Sequence, residues 1–499
     1  MQTSLTSRVQ SGVAWNTISV SSAYLLGLVR SVILARLLLA EDFGLFGMAL
    51  TVVTGLGALT NIGLDISVIK TKFKTEQELA KHLDTLWTVD LIRRLLITAL
   101  MLVMARPAAK FYGEGRVYEL LLVLSLLPLI QGFQNIGLLI HRKEVNFKKI
   151  VRLELLTNLL TAVATIVLVL WTRHVWALVL SQLISALVGV ALSYLFHPYR
   201  PRPRLDNNSL RLALDFGKYA FLLGVVGYVM TMADNVLLGK LYSAAILGTY
   251  VIAYNLAVLP LHGVGMAIVN VTFPAYAEIA GGEITGGERI RLERAFVRVF
   301  ATSSTLLSLT TALLLLLGDE IVVFLYGSKW AAAGTILRIL ALLVFCKGHA
   351  ILVSPLIVSM RGIAPDAKIK LVEAATFLAL LYPLTSRYGA VGAAWAAAVA
   401  FFMVMINRLR VAASLLPNVA GVLVRTVLSA AVACTLATTL GELIIWKIEI
   451  VLGRLILGGS AIAIVITGVM FILSPQLRVE LSRAFDTIRL RKQNQNRVR

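Results

Sequence analysis

Charge is what this sequence is short of. Of its 499 residues only 15% are Asp, Glu, Lys or Arg, against about 25% in an ordinary soluble domain, while 58% are hydrophobic. So little charge cannot clothe a water-facing surface, which excludes a soluble globular protein. Cysteine is almost missing as well. Cys346 and Cys434 both fall inside apolar runs, where they read as small buried hydrophobes and not as a disulfide framework or a thiolate metal centre. The chain has no GxxxxGK[ST] loop, no HExxH pair and no glycine-rich phosphate loop, which disfavours an ATP-driven motor; no catalytic group, metal or cofactor is expected. Ten-residue segments of alternating polarity are also lacking, which argues against a membrane barrel.

What is present is a series of apolar runs of about 17–25 residues, each long enough to cross a bilayer core of about 30 Å as a helix. Hydropathy gives fourteen spans, beginning at 12–39, including 120–140, 369–386 and 389–406 (which leaves Arg408 in an inner loop) and ending at 450–473, and the fold class expected is an all-α integral membrane protein. The first run is too long, and lacks the small-residue site, for a cleaved signal. With the N-terminus inside, 31 basic residues fall in inner loops and tails and eight in outer loops. This asymmetry places both termini in the cytoplasm. It also accounts for most of the net charge of +21, so nucleic acid is not an expected partner.

One stretch occurs twice. Under a shift of 204 residues ARLLLAEDFGLFGMA (35–49) falls on GKLYSAAILGTYVIA (239–253), aligning Ala40 with Ala244 and Gly44 with Gly248. Under a shift of 216, Gln131 falls on Lys347 and Gly132 on Gly348. The expectation is two pseudosymmetric six-helix lobes, residues 1–204 and 205–415, joined by HPYRPRPRLDNNS, then two additional spans at 416–475 and a basic cytoplasmic tail at 476–499. Parallel repeats of this kind suit a transporter that alternates access by rocking one half against the other. Gly44 and Gly248 are expected to let helices approach closely.

Charges within the spans mark candidate sites, because each costs at least about 2.5–3.5 kcal/mol at the bilayer centre and so faces water, a partner or a substrate. Arg30, Arg94, Arg338 and Lys347 are the candidate substrate-binding cations; in surplus over nearby acids they suit an anionic ligand, arginine being apt for phosphate. Local pairing of Asp90 with Arg93 or Arg94 is the alternative. The 204-residue shift sets Arg30 on Asp234, suggesting an ion pair or gate. Gln131, Gln134 and Asn135 are candidate sugar contacts or interhelical bridges. Asp65, Asp234 and His262 are candidate coupling groups, His262 lying in the broken segment LPLHGVG with Pro260.

The stretches ILARLLLAEDFGLFGMAL, NIGLDISVIK, HRKEVNFKKIVRLELL and ADNVLLGKLYSAAILGTYVIAYNLAVLPLHGVGMAIVNVTFPAYAEI, with the YGSKW turn and the LRILAL run, cover most of residues 10–410. Together they resemble the polysaccharide transporter (Wzx-type flippase) branch of the multidrug/oligosaccharidyl-lipid/polysaccharide (MOP) exporter superfamily. The resemblance implies a MATE/MOP-like fold with a central cavity. It also implies transfer of a polyprenyl-diphosphate-linked oligosaccharide from inner to outer leaflet for exopolysaccharide, capsule or O-antigen (lipopolysaccharide) synthesis, alongside a polymerase and co-polymerase. Asp65 and the Arg93–Arg94 pair depart from the family pattern. Two alternatives stand beside this reading: a cation-coupled exporter of small amphipathic compounds, which would want an acid-rich cavity, and a non-transporting scaffold of a polysaccharide assembly complex.

Overall fold

The computed structural model describes residues 22–473, apart from 61–62, 64–66, 69–70, 72, 145–146, 281–285, 447 and 449. Asp65, the start of the first expected span and the tail at 476–499 lie outside the described residues. All regular structure among the described residues is helical, and eight helices there are long and apolar enough to cross a membrane. The chain is an all-α membrane protein. It divides into two compact units, Met1–Ile252 with Leu381–Ala393, and Ala253–Leu380 with Ala394–Arg499.

The first unit contains α1 (22–37), α2 (Ala40–Leu59), α3 (Glu76–Tyr112), α4 (Arg116–Leu124), α5 (Leu126–Gly132), α6 (Leu138–Lys143), α7 (Phe147–Thr172), α8 (Trp176–Phe196), α9 (Asn207–Leu241) and the start of α10 (Ala244–Pro260). Polar side chains set the helix ends. The Thr75 hydroxyl accepts from the Glu78 N–H, and the Glu78 carboxylate accepts from the Lys74 N–H, which starts α3. Gly113, in the left-handed region at φ 68°, ends it. Asp42, 8% exposed, accepts from the Leu39 N–H at 3.0 Å and the Val175 N–H at 2.9 Å. One carboxylate therefore caps α2 and ties it to the turn that starts α8.

Where a single span over 120–140 is expected, the chain forms three short helices, α4 to α6. Pro128 cannot donate to the helix ladder and Gly132 has poor helix propensity. Short-range backbone bonds such as Phe133 N–H to Ile130 O and Leu138 N–H to Asn135 O close the breaks, and Asn135 adds side-chain bonds: its oxygen accepts from the Gly137 N–H, and its amide donates to the carbonyls of His197 and Tyr199.

The segment from His197 to Asp206 lies strapped along α3. Asp84 accepts from the Tyr199 hydroxyl at 2.6 Å and the Arg202 N–H at 3.0 Å; Thr88 accepts from the Arg204 N–H and Thr85 from the Asp206 N–H. The His197 ring meets buried His141 edge-on at 4.8 Å. Burial pushes the His197 imidazole below its ordinary value, with the His141 charge acting in the same direction. Burial and then the Asp84 carboxylate push the Tyr199 phenol up.

The second unit holds the end of α10, one π-helical turn at Leu261–Gly265, α11 (Met266–Ala280), α12 (Gly286–Tyr326), α13 (Ala331–Arg361), α14 (Ile363–Leu415), α15 (Ala420–Ile445) and α16 (Val451–Leu473). The π turn follows Pro260, whose missing N–H and ring disturb the ladder there. Tyr276, Phe296 and Phe300 pack with Leu352, Leu356 and Leu416 in one core cluster. A second cluster seats α15 and α16 on α12 through Leu316, Leu317, Ala433, Cys434, Ile462 and Ile466. Both cysteines are free and buried.

The expected spans at 369–386 and 389–406 are the two arms of α14, divided at Gly389, where φ is 58° and ψ −136°. A straight helix would set Asp366 and Arg408 about 63 Å apart at 1.5 Å per residue. They are in contact at 3.2 Å, so the chain reverses at Gly389. The reversal is tight. A Cβ on Gly392 would overlap the Leu384 carbonyl.

Candidate functional site

The duplicated stretches meet within the first unit. A Cβ placed on Gly44 would overlap the carbonyl of Ala244, and one on Gly248 would overlap that of Ala40. Each glycine thus sits on the alanine that the 204-residue shift assigns to the other copy. Tyr228 reinforces the contact by donating to the Thr51 carbonyl at 3.1 Å, and Thr51 and Tyr112 share a 2.6 Å hydrogen bond.

Asp90 organises the cations of α3. One of its oxygens accepts from Arg93 at 2.6 and 2.9 Å, and the other from Arg94 at 2.7 Å. These are neighbours at i+3 and i+4 on one helix face. Arg94 also donates to Gln131 Oε1 at 2.7 Å. Gly132 eases this approach, because a Cβ there would lie 3.3 Å from Arg94 Cδ and 3.0 Å from Leu91 Cδ1. One carboxylate serves two guanidinium groups, each side chain about a fifth exposed, so one positive charge is left over.

Arg30, on α1, is partly buried and makes no hydrogen bond or ion pair among the described residues. The Arg30–Asp234 ion pair is not formed in this conformation. Asp234, 3% exposed, accepts from the Tyr250 hydroxyl at 2.6 Å and from the Asn235 N–H at 2.9 Å. Gln134 lines a cavity of about 410 Å³ with Tyr24, Glu154, Thr157 and Asn158. Asn135 is 1% exposed and spends its amide on the backbone of the strap.

In the second unit the Lys347 ammonium lies 4.8 Å above the Phe401 ring, a placement that stabilises a cation without neutralising it. Arg338 is paired with Asp319 at 2.7 Å, both side chains about 40% exposed. Gly334 leaves room for that carboxylate, since a Cβ there would collide with it. His262 is exposed in the π turn.

A further cluster escapes a reading by hydropathy. Arg408, assigned to an inner loop from the sequence, is 5% exposed inside α14. It reaches Asp366 at 3.2 Å and donates to the Ala350 carbonyl at 2.9 Å. Lys370 holds the second oxygen of Asp366 at 3.2 Å, and the Ser354 hydroxyl donates to the first. Glu373, 7% exposed, feels the charges of Arg408, Lys347, Lys370 and Asp366. The only local signal for this group is the i,i+4 spacing of Asp366 and Lys370; Arg408 joins only through the reversal at Gly389.

Comparison with known proteins agrees with this architecture. The chain is 26% identical over 362 residues to the succinoglycan biosynthesis transport protein ExoT of Rhizobium meliloti, covering 72% of this chain and 70% of that one. It is 24% identical over 347 residues to the lipopolysaccharide biosynthesis protein WzxC of Escherichia coli, covering 68% and 67%. Among solved structures, the lipid II flippase MurJ in an inward closed conformation superposes with a TM-score of 0.70 over 91% of this chain and 98% of that one; at 15% identity this is a likeness of fold. The polysaccharide biosynthesis protein family matches residues 33–335, and this chain belongs to it.

Proposed function

We propose that this protein is a flippase that moves a polyprenyl-diphosphate-linked oligosaccharide from the inner to the outer leaflet, for synthesis of exopolysaccharide, capsule or O-antigen. The observation that carries the reading is the uncompensated positive charge inside the helices of a chain of this family. Arg30 is unpaired among the described residues, Asp90 is shared by two arginines, and Lys347 rests on an aromatic ring. Partly buried cations in excess of the carboxylates that pair with them favour an anionic ligand, and a diphosphate supplies negative charge and lone pairs. The cavity beside Gln134, with Glu154, Asn158 and Tyr24 on its walls, offers donors, acceptors and an aromatic face suited to sugar hydroxyls.

In this mechanism the diphosphate is bound by intramembrane cations, each unit being able to supply one on its own, while the lipid tail stays in the bilayer, and alternating access exposes the head group to each side in turn. The contact of Gly44 and Gly248 with Ala244 and Ala40 closes the outer ends of α2 and α10 and separates when the outer side opens. With the cell interior negative, each charge carried outward on the substrate contributes about 2.3 kcal/mol per 100 mV. The protein works in the bacterial inner membrane with both termini cytoplasmic, handing its substrate to a polysaccharide polymerase and co-polymerase.

The test is complementation of a flippase-deleted host at matched membrane levels, scoring surface polysaccharide and lipid-linked intermediate. Arg30→Ala and Lys347→Ala are expected to lose polymer and accumulate intermediate, and Lys347→Arg to retain activity. Full activity in both alanine variants would remove the diphosphate-gripping role and leave a scaffold as the better account.

A further inference from the structure

An open groove of about 620 Å³ runs along α15, and its walls include Gly421, Val424, Arg425, Leu428, Val432 and Leu473. Val424, Leu428 and Val432 are 56%, 59% and 46% exposed. Their spacing of four residues sets them in one row along the helix. The groove is therefore apolar along its length and carries one charge, at the end that the loop-charge asymmetry assigns to the cytoplasm.

That charge is fixed in place. Arg425 Nε donates to the Leu473 carbonyl at 3.1 Å, one of the last carbonyls of α16, which have no partner within their own helix. The bond links the exposed guanidinium to the end of the neighbouring helix and orients it over the groove. It uses one donor. The two Nη groups make no hydrogen bond or ion pair among the described residues, and no carboxylate is among the groove walls. A fork of unused donors above an apolar channel is the complement of a phosphate followed by a hydrocarbon chain.

The geometry points to a binding site for one diacyl anionic phospholipid of the inner leaflet, its phosphate on the Arg425 Nη groups and one acyl chain along Val424, Leu428 and Val432. The net negative charge of the head group decides the occupant. A zwitterionic lipid would bring its own cation against Arg425. The site lies on the two helices that follow the duplicated halves and is independent of the proposed transport role.

The experiment is native mass spectrometry of the full-length protein after detergent delipidation and exchange into bicelles containing equal phosphatidylglycerol and phosphatidylcholine. The wild type is expected to retain one phosphatidylglycerol in preference to phosphatidylcholine. Arg425→Gln should retain about fivefold less, the scale of one basic residue acting on an anionic lipid. Val432→Trp, which fills the groove and leaves the guanidinium in place, should lower retention too; both variants must elute as the wild type does on size exclusion. Equal retention of the two lipids, or unchanged retention in Arg425→Gln, would overturn the proposal. So would stronger retention of an added polyprenyl phosphate, which would make the groove part of the substrate path.

Discussion

Two carboxylates in this protein each hold two cations, and they do so in opposite ways. Asp90 binds Arg93 and Arg94 from its own helix, three and four residues on, with all three side chains about a fifth exposed. Asp366 binds Lys370 from the next turn but takes its second partner, Arg408, from the far arm of α14, and both members of that pair are only 5–6% exposed. The first arrangement needs nothing beyond one turn of helix. The second exists only because the chain reverses at Gly389. Each carboxylate is outnumbered by its cations, but the one with only local partners is cheap to disturb, whereas the one with a distant partner pins two arms together and is expensive to disturb.

Removing the charge of Asp366 should therefore have the largest effect on stability. Asp366→Asn leaves Arg408 buried without its counter-ion, and the loss expected is about 3–5 kcal/mol, as for other broken buried pairs. It would be read as a lowered unfolding temperature of the detergent-purified protein. Asp90→Asn should be milder, about 1–3 kcal/mol, because its partners reach water. If Asp90→Asn were the more damaging of the two, the contrast between local and distant pairing would fail.

Gln131→Lys sharpens the comparison from the other side. It puts at 131 the residue type found at 347, the position the 216-residue shift aligns with it, and it presses a third cation on Arg94. A loss of about 1 kcal/mol is expected, the scale of a partly exposed charge contact, shrinking as salt is raised.

The smallest effect belongs to a third carboxylate, Asp84, which receives only neutral donors from the strap. Nearby, His197 Nδ1 accepts from the Tyr199 N–H at 3.1 Å, which requires the neutral ring. Because burial lowers the His197 pKa, the strapped form is fully favoured above the ordinary imidazole value of about 6.5. It loses ground as pH falls below that value toward the lowered one. Amide protection over 197–206, taken relative to the intrinsic exchange rate at each pH, should fall between pH 7.5 and pH 5.5 in the wild type and hold steady in His197→Asn; equal pH response in both would sink the assignment.

The same division separates what the sequence reveals from what it hides. Helical spans, the Asp90–Arg93–Arg94 cluster and the division of α14 near 388 all follow from hydropathy, spacing over one helical turn, and one glycine. Residues 120–140 deceive, since they are apolar enough for one span, while the short-range backbone bonds and the Asn135 side chain that close the breaks leave no mark on hydropathy. Arg408 reads as a loop charge for a similar reason. Its partner is 42 residues away in sequence, and no local pattern encodes a contact that depends on a reversal between the two. The 204-residue shift identifies Gly44 and Gly248 as equivalent. It does not say that each rests on the other copy's alanine.

That contact has the arithmetic of a two-fold dimer, in which residue i of one subunit meets j of its mate and j meets i. In a true dimer a single gene change alters both halves of such an interface at once, so the seal can only be kept or lost symmetrically. Here both halves lie on one polypeptide, and Gly44 and Gly248 are free to vary one at a time. Changing one glycine at a time therefore measures what each contributes to the helix contact, a separation that no symmetric pair of identical subunits allows by mutation.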